Sequence, residues 1–236
     1  MYKFQICIAN LIIDIQSIYD QVYSMCKDYL CTNKESDFQI ISCQEDIEKE
    51  EPYDHLGKLV TDAYRETLSI YRKISEKMLS YSTFLMHGSV VAVHNQAFMF
   101  CASSGIGKTT RTNLFLEQIK NSYVVNGDKP LIQVNEKGIR ACGTPWSGKE
   151  NLNTNTIVPL KAILLLERNE KTKLEKISFL EAISTLYPQI YRPQNVDLTR
   201  KTLSLMQKLN GQVDIYRYGA NLIDTDMQVI YDTIKK

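Results

Sequence analysis

The chain has 236 residues, 44% of them hydrophobic and 23% charged, with a formal net charge of +1. That composition suits a water-soluble globular protein with one large α/β domain, or a small domain beside a medium one. A chain so near neutrality has no electrostatic pull on nucleic acid or an anionic membrane, so neither is an expected partner. No apolar run approaches the length needed to span a bilayer. Met1 to Ile6 lacks the basic-then-apolar order of a signal peptide, and Asp14 arrives too early for one. The six cysteines are scattered, form no Cys-x-x-Cys pair and do not cluster with the three histidines. The expectation is a cytoplasmic protein without a zinc site, most of whose cysteines are buried thiols.

In chain order, Phe4, Ile6 and Ile8, then Leu11, Ile12 and Ile13, predict a strand or hairpin that turns near Ala9-Asn10. A helix is expected from about Ile18 to Leu30, and a short strand over residues 38–43. Glu45 to Pro52 is an acidic run that reads as a solvated loop or helix entry. Leu56, Val60, Tyr64, Leu68, Tyr71, Ile74 and Met78 recur at three- and four-residue steps. They predict the core-facing stripe of one long helix. Residues 1–80 therefore read as a small N-terminal α+β subdomain.

The texture changes at Phe84. Residues 84–93 and 97–101 are β-rich arms joined by a tight turn at His94-Asn95-Gln96. A helix is expected over 111–120 and a short buried strand over 123–125. A second hairpin is expected about Asn135 to Gly138, and a central strand over 162–167. Ser178 and Glu181 form a capping box that opens a helix running to about Tyr187. A helix over 199–209, a strand over 213–218 and a helix over 226–236 complete residues 81–236. The hairpins exclude a simple doubly wound sheet and predict a mixed-sheet α/β core.

The second β arm feeds Ala102-Ser103-Ser104-Gly105-Ile106-Gly107-Lys108-Thr109-Thr110. Strand, glycine-containing loop and helix come in the order a phosphate-binding loop requires. The backbone from Ser104 through Gly105, Ile106 and Gly107 to Thr110 is expected to cradle phosphates. Lys108 would reach the β- and γ-phosphates, and the Thr109 hydroxyl would sit on Mg²⁺. Ala102 stands where the usual pattern has its first glycine. Asp128 ends the next apolar strand, where it could coordinate Mg²⁺ or take a proton from an attacking hydroxyl. The alternative is that Asn126-Gly127-Asp128 is merely a turn, which its residue types favour. The segment Gly143 to Asn153 holds the only Trp, two glycines, Lys149 and several amides. It reads as a substrate-facing loop, with Lys149 stabilising charge on the transferring group, or as a connector plugged by Trp146. His87 lies on the arm leading to the loop. Arg192 and Arg217 are further candidates for a phosphate contact.

Together, His87-Gly88-Ser89-Val90, the hairpin into Ser104–Thr109 and the strand ending at Asp128 resemble the C-terminal domain of bacterial HPr serine kinase/phosphorylase. That domain shares its core with phosphoenolpyruvate carboxykinase. Gly143 to Asn153 and Pro159 to Arg168 look more like short HPr-kinase-related proteins, some of them serine kinases of peptide-modification pathways. The resemblance implies a mixed-sheet phosphate-loop core of this type. It implies ATP and Mg²⁺ as cofactors and a serine of a peptide or small protein as acceptor. It places His87 beside the phosphates and matches Asp128 to the second of two consecutive aspartates, the first being replaced by Gly127. The family's Arg- and Gly-rich signature is absent, which argues against HPr itself as the substrate. Two other functions stay open: an ATP-binding sensor or adaptor with little turnover, and small-molecule phosphoryl chemistry of the carboxykinase type. The oligomeric state also stays open, a homo-oligomer included.

Overall fold

Alternating burial along the first strands shows how the N-terminal residues pack. Ile6 and Ile8 of β1 (Tyr2–Ile8) and Ile13 and Ile15 of β2 (Leu11–Ser17) are buried, while their neighbours are more exposed. The two strands pair antiparallel across Ala9 and Asn10, both at positive φ (54° and 64°). A two-residue turn of that kind matches the twist of its strands. The computed structural model describes every residue except 33, 54–56, 104 and 221–226. The described chain forms two compact units, Met1–Ser80 and Tyr81–Lys236.

The first unit adds α1 (Gln21–Met25), β3 (Leu30–Cys31), β4 (Phe38–Ile41), α2 (Gln44–Glu48) and α3 (Asp62–Met78). Its four strands take the order β3-β1-β2-β4. The helix expected over 18–30 is only five residues long. The buried carboxylate of Glu66 accepts from the N–H groups of Ile18 (2.6 Å) and Tyr19 (2.9 Å), holding both residues ahead of the helix. At the other end Leu30 is drawn into the sheet opposite Ile6. The long helix starts later than its apolar stripe suggests. Thr61 caps it by accepting from the Tyr64 N–H (3.2 Å). Val60 precedes it, Tyr64 is exposed, and Leu56 lies outside the described residues. The acidic run is not wholly solvated, because Asp46 is buried and paired with Lys73.

The second unit comprises β5 (Thr83–Leu85), β6 (Ser89–Val93), β7 (Gln96–Cys101), α4 (Lys108–Gln118), β8 (Tyr123–Asn126), β9 (Leu131–Asn135) and β10 (Gly138–Cys142). There follow β11 (Ile157–Arg168), β12 (Lys173–Ile177), α5 (Phe179–Leu186), α6 (Val196–Gln207), β13 (Asp214–Ala220) and α7 (Met227–Ile234). Its strands join in one mixed nine-stranded sheet that curls about β11. Residues 157–159 of that strand pair antiparallel with β10. Farther along, the same strand runs parallel to β7 and to β13. The β-rich run 84–93 is therefore not one arm. It splits at Met86–Gly88, with β5 joining β9 and β6 joining β7. At this crossing a Cβ on Gly88 would lie 2.5 Å from Met99 Cε and 2.9 Å from the Phe100 carbonyl, so the step needs glycine. The lysine- and glutamate-rich β12 carries little strand signal of its own and is held by antiparallel pairing with β13.

One face of this sheet buries Phe98, Phe100, Leu164, Leu166, Tyr216 and Tyr218 against α4 and α7. Phe98, Phe115 and Tyr231 form an aromatic triad with centroids 5.7 to 5.9 Å apart. It fixes α4 and α7 on β7. Among the described residues no helix is long and apolar enough to cross a membrane. Burial pushes the thiols of Cys26, Cys101 and Cys142 up to about 12, so they stay protonated. The expectation of buried cysteines fails for Cys7, Cys31 and Cys43, which are half-buried or exposed.

Candidate functional site

Strand directions bring the candidate residues to one edge. β6 is antiparallel to both β7 and β8, so β7 and β8 run the same way, as do β11 and β13. The carboxyl ends of β7, β8, β11 and β13 share that edge with the start of β6. Ligands of α/β sheets bind outside strand carboxyl ends. The edge gathers His87 just before β6, Lys108 at the start of α4 and Asp128 just after β8.

The loop between β7 and α4 turns through Gly105 (φ 80°) and Gly107 (φ 103°). Gly107 is the N-cap of α4 and gives it no side-chain hydrogen bond, whereas Thr61, Ser178 and Asn195 cap α3, α5 and α6. Among the described residues no side chain caps the first turn of α4, and N–H groups at such a helix start suit an anionic acceptor. A Cβ on Gly105 would meet nothing within 4 Å, so the space there is open. The Gly105 carbonyl accepts from Arg168 Nη2 (3.0 Å) at the end of β11. Ala102 is buried in the aromatic core, so its methyl packs inward. Thr109 and Thr110 are exposed on the first turn. Ser104 lies outside the described residues.

Three side chains meet beside this loop. His87 Nε2 lies 2.7 Å from Asp128 Oδ1 and 3.0 Å from Lys108 Nζ, and Lys108 Nζ lies 3.9 Å from Asp128 Oδ1. Burial raises the Asp128 carboxyl, but the hydrogen bond and charge of His87, with Lys129 and Lys108, outweigh it and hold it below the usual carboxylate range. Burial lowers the Lys108 ammonium below the ordinary lysine range, with Asp128 and Cys101 opposing. A half-buried cation at an uncapped helix start suits a phosphate group, and a carboxylate held ionised suits a metal ion or a proton transfer. Among the described residues no cluster of three His, Cys, Asp or Glu could hold a metal ion. A Mg²⁺ ion would therefore depend on Asp128 and the Thr109 hydroxyl, with phosphate and water supplying the rest.

Asn126 organises this end of β8. Its Oδ1 accepts from the N–H groups of Asp128 (2.8 Å) and Lys129 (2.6 Å). Its Nδ2 donates to the Thr144 carbonyl (2.9 Å) and to Thr144 Oγ1 (3.0 Å). One fully buried amide thus ties the Asp128 turn to the segment 143–153. That segment is both a connector and a cover. Trp146 and Ser147 are buried, whereas Gly148, Lys149 and Glu150 are exposed. A Cβ on Gly148 would lie 3.0 Å from Asp128 Cβ, and one on Gly127 would lie 3.0 Å from the Ser147 carbonyl. Lys149 follows this close approach but points to solvent and makes no ion pair among the described residues. A Cβ on Gly143 would fall 1.9 Å from the Thr154 carbonyl. Gly143→Ala is expected to cost about 3 kcal/mol, the upper end for overpacking, read as a lower denaturation midpoint of the folded chain.

Gln189, which sequence reasoning missed, holds His87 twice. Its backbone carbonyl accepts from the His87 N–H (2.6 Å), and its Oε1 lies 3.2 Å from His87 Nδ1. Arg192 stacks on the Tyr187 ring (4.9 Å) and donates to the Tyr187 carbonyl. Arg217 pairs with Glu167 and Glu175 across a cavity of about 210 Å³ at the ends of β11 and β13.

No protein-family model matches the chain, and neither does any curated protein. Among solved structures it is similar to the Hpr(Ser) kinase/phosphatase from Coxiella burnetii. The two share 8% identity over 64% of this chain and 87% of that one, with a TM-score of 0.39, a distant likeness.

Proposed function

We propose that the chain is an ATP- and Mg²⁺-dependent kinase that phosphorylates a hydroxyl, a serine of a peptide or small protein. The observation that carries this reading is the meeting of Lys108, His87 and Asp128 beside an uncapped helix start and a loop with two left-handed glycines. The phosphates would lie on residues 104–110, with Lys108 on the terminal phosphoryl oxygens. The nucleoside would extend over the ends of β11 and β13. Mg²⁺, when bound, would neutralise charge on the transferring group. Asp128 would orient the acceptor hydroxyl and take its proton. His87 would donate toward the developing charge, and Lys149 would reach in from the cover segment when substrate binds. Most of the rate gain would come from positioning and fixed charge.

A second reading is an ATP-binding sensor or adaptor with little turnover. One observation favours it: glycine at position 127 leaves Asp128 without an adjacent second carboxylate, and a Cβ there would lie 3.0 Å from the Ser147 carbonyl, a tight fit. Calorimetric titration with ATP, with and without Mg²⁺, followed by transfer of labelled γ-phosphate to serine peptides, separates the two. Mg²⁺-dependent binding with transfer is the kinase result. Binding with no transfer to any peptide is the sensor result. Absence of binding would sink both.

A further inference from the structure

We propose that Gln189 is a positioning residue for His87, clamping the imidazole so that Nδ1 carries a hydrogen and Nε2 is turned into the site; the inference rests on the kinase reading for its catalytic consequence. Gln189 is buried, and it reaches His87 from the turn after α5, far along the chain. The backbone bond from the His87 N–H to the Gln189 carbonyl sets where His87 leaves the sheet. The flanking pairs extend this seam. Met86 bridges to Ile190, and the Tyr191 N–H donates to the Leu85 carbonyl (3.0 Å). The side-chain contact at Nδ1 then sets the rotation of the ring. An amide oxygen only accepts, so the ring nitrogen facing it must be the donor.

The consequence falls on Nε2. It faces a carboxylate oxygen at 2.7 Å and an ammonium nitrogen at 3.0 Å. It serves the carboxylate only as a donor and the ammonium only as an acceptor. A ring free to flip would present either nitrogen to either partner. With Nδ1 pinned, only Nε2 is exchanged between Asp128 and Lys108, and every turnover starts from the same ring orientation. Buried partners that orient a functional imidazole act in this way in metal sites and in catalytic triads.

The experiment pairs kinetics with imidazole nitrogen NMR on the full chain. The only other histidines, His55 and His94, are removed singly to assign the His87 ring. The parent is expected to show a protonated, slowly exchanging Nδ1, and Gln189→Leu is expected to lose it. The same variant is expected to lower kcat by about 10–100-fold while the KM for ATP moves less than about threefold. Gln189→Glu keeps an acceptor at that position and is expected to restore the Nδ1 signal and kcat to within about threefold of the parent. An unprotonated Nδ1 in the parent, or one unaffected by the leucine, overturns the proposal even if the chain proves to be a kinase. If no phosphoryl transfer is found, the kinase reading fails while the NMR result still decides the clamp.

Discussion

Asp128→Asn is expected to lower kcat for phosphoryl transfer by about 10²–10⁴-fold, the usual contribution of a positioned general base. The Kd for ATP measured without Mg²⁺ is expected to stay within about fivefold, because the loop glycines and Lys108 are untouched, whereas the gain in affinity that Mg²⁺ brings should shrink with the loss of the carboxylate. Asparagine keeps the shape of the side chain and its nearness to His87, but it neither takes a proton nor balances the Lys108 ammonium beside it. The environment that makes the carboxylate useful also makes it stabilising. Its native pKa is depressed, so its contribution is complete above the ordinary carboxylate range and is lost as pH falls through the lower native value. The parent should therefore be more stable than Asp128→Asn at neutral pH, with the gap closing in acid. Transfer within tenfold of the parent would remove Asp128 from the chemistry. A stability gap that persists at low pH would assign the loss to packing.

What the sequence makes legible here is local. The order β7, glycine loop, α4 is readable because strand, turn and helix start are adjacent in the chain. The Ser178–Glu181 cap and the Ala9-Asn10 and His94-Asn95 turns are readable for the same reason. What is missed depends on distant partners. No pattern in residues 18–30 announces that Glu66 will occupy two of its amides, so the helix is overestimated. The run 84–93 looks like one strand, because only the packing of Gly88 against Met99 and Phe100 makes the chain change partners there. That change of partners places His87 beside Asp128. Gln189 sits in an unremarkable Tyr-Pro-Gln turn, and its closeness to His87 follows from the bridge of Met86 to Ile190. Asn126 reads in the sequence as a turn residue. It does hold a turn, and its other end fastens the cover segment as well. Glycine at position 127 also gains a local reason. A Cβ there would lie 3.0 Å from the Ser147 carbonyl and 3.4 Å from the Leu152 carbonyl, so the cover would have to shift slightly to admit a side chain.

Lys108→Met is expected to reverse the order of stability with ligand. Burial is the largest influence on this lysine and lowers its native pKa, with Asp128 and Cys101 only partly opposing. A group harder to charge in the folded state than in the unfolded one destabilises the fold wherever it is charged, and the cost fades as pH rises through the ordinary lysine range. Methionine has nearly the same reach and no charge to desolvate. Without nucleotide at neutral pH, the variant should therefore melt no lower than the parent, and any advantage should vanish at strongly alkaline pH. With nucleotide the balance changes sides. A hydrogen bond to a charged group is worth about 1.5–3 kcal/mol, so losing it should weaken ATP binding by about 10–150-fold. At ATP near 100 times its Kd the parent gains about 2.7 kcal/mol, and at the same concentration the variant gains far less. Melting curves of both proteins, with and without Mg²⁺-ATP, should cross in rank. An undiminished ATP shift in the variant would take Lys108 off the phosphates. A lower melting point without ATP would mean that the ammonium holds His87 and Asp128 in place more than its burial costs, and that the site was built for the fold before it was built for a ligand.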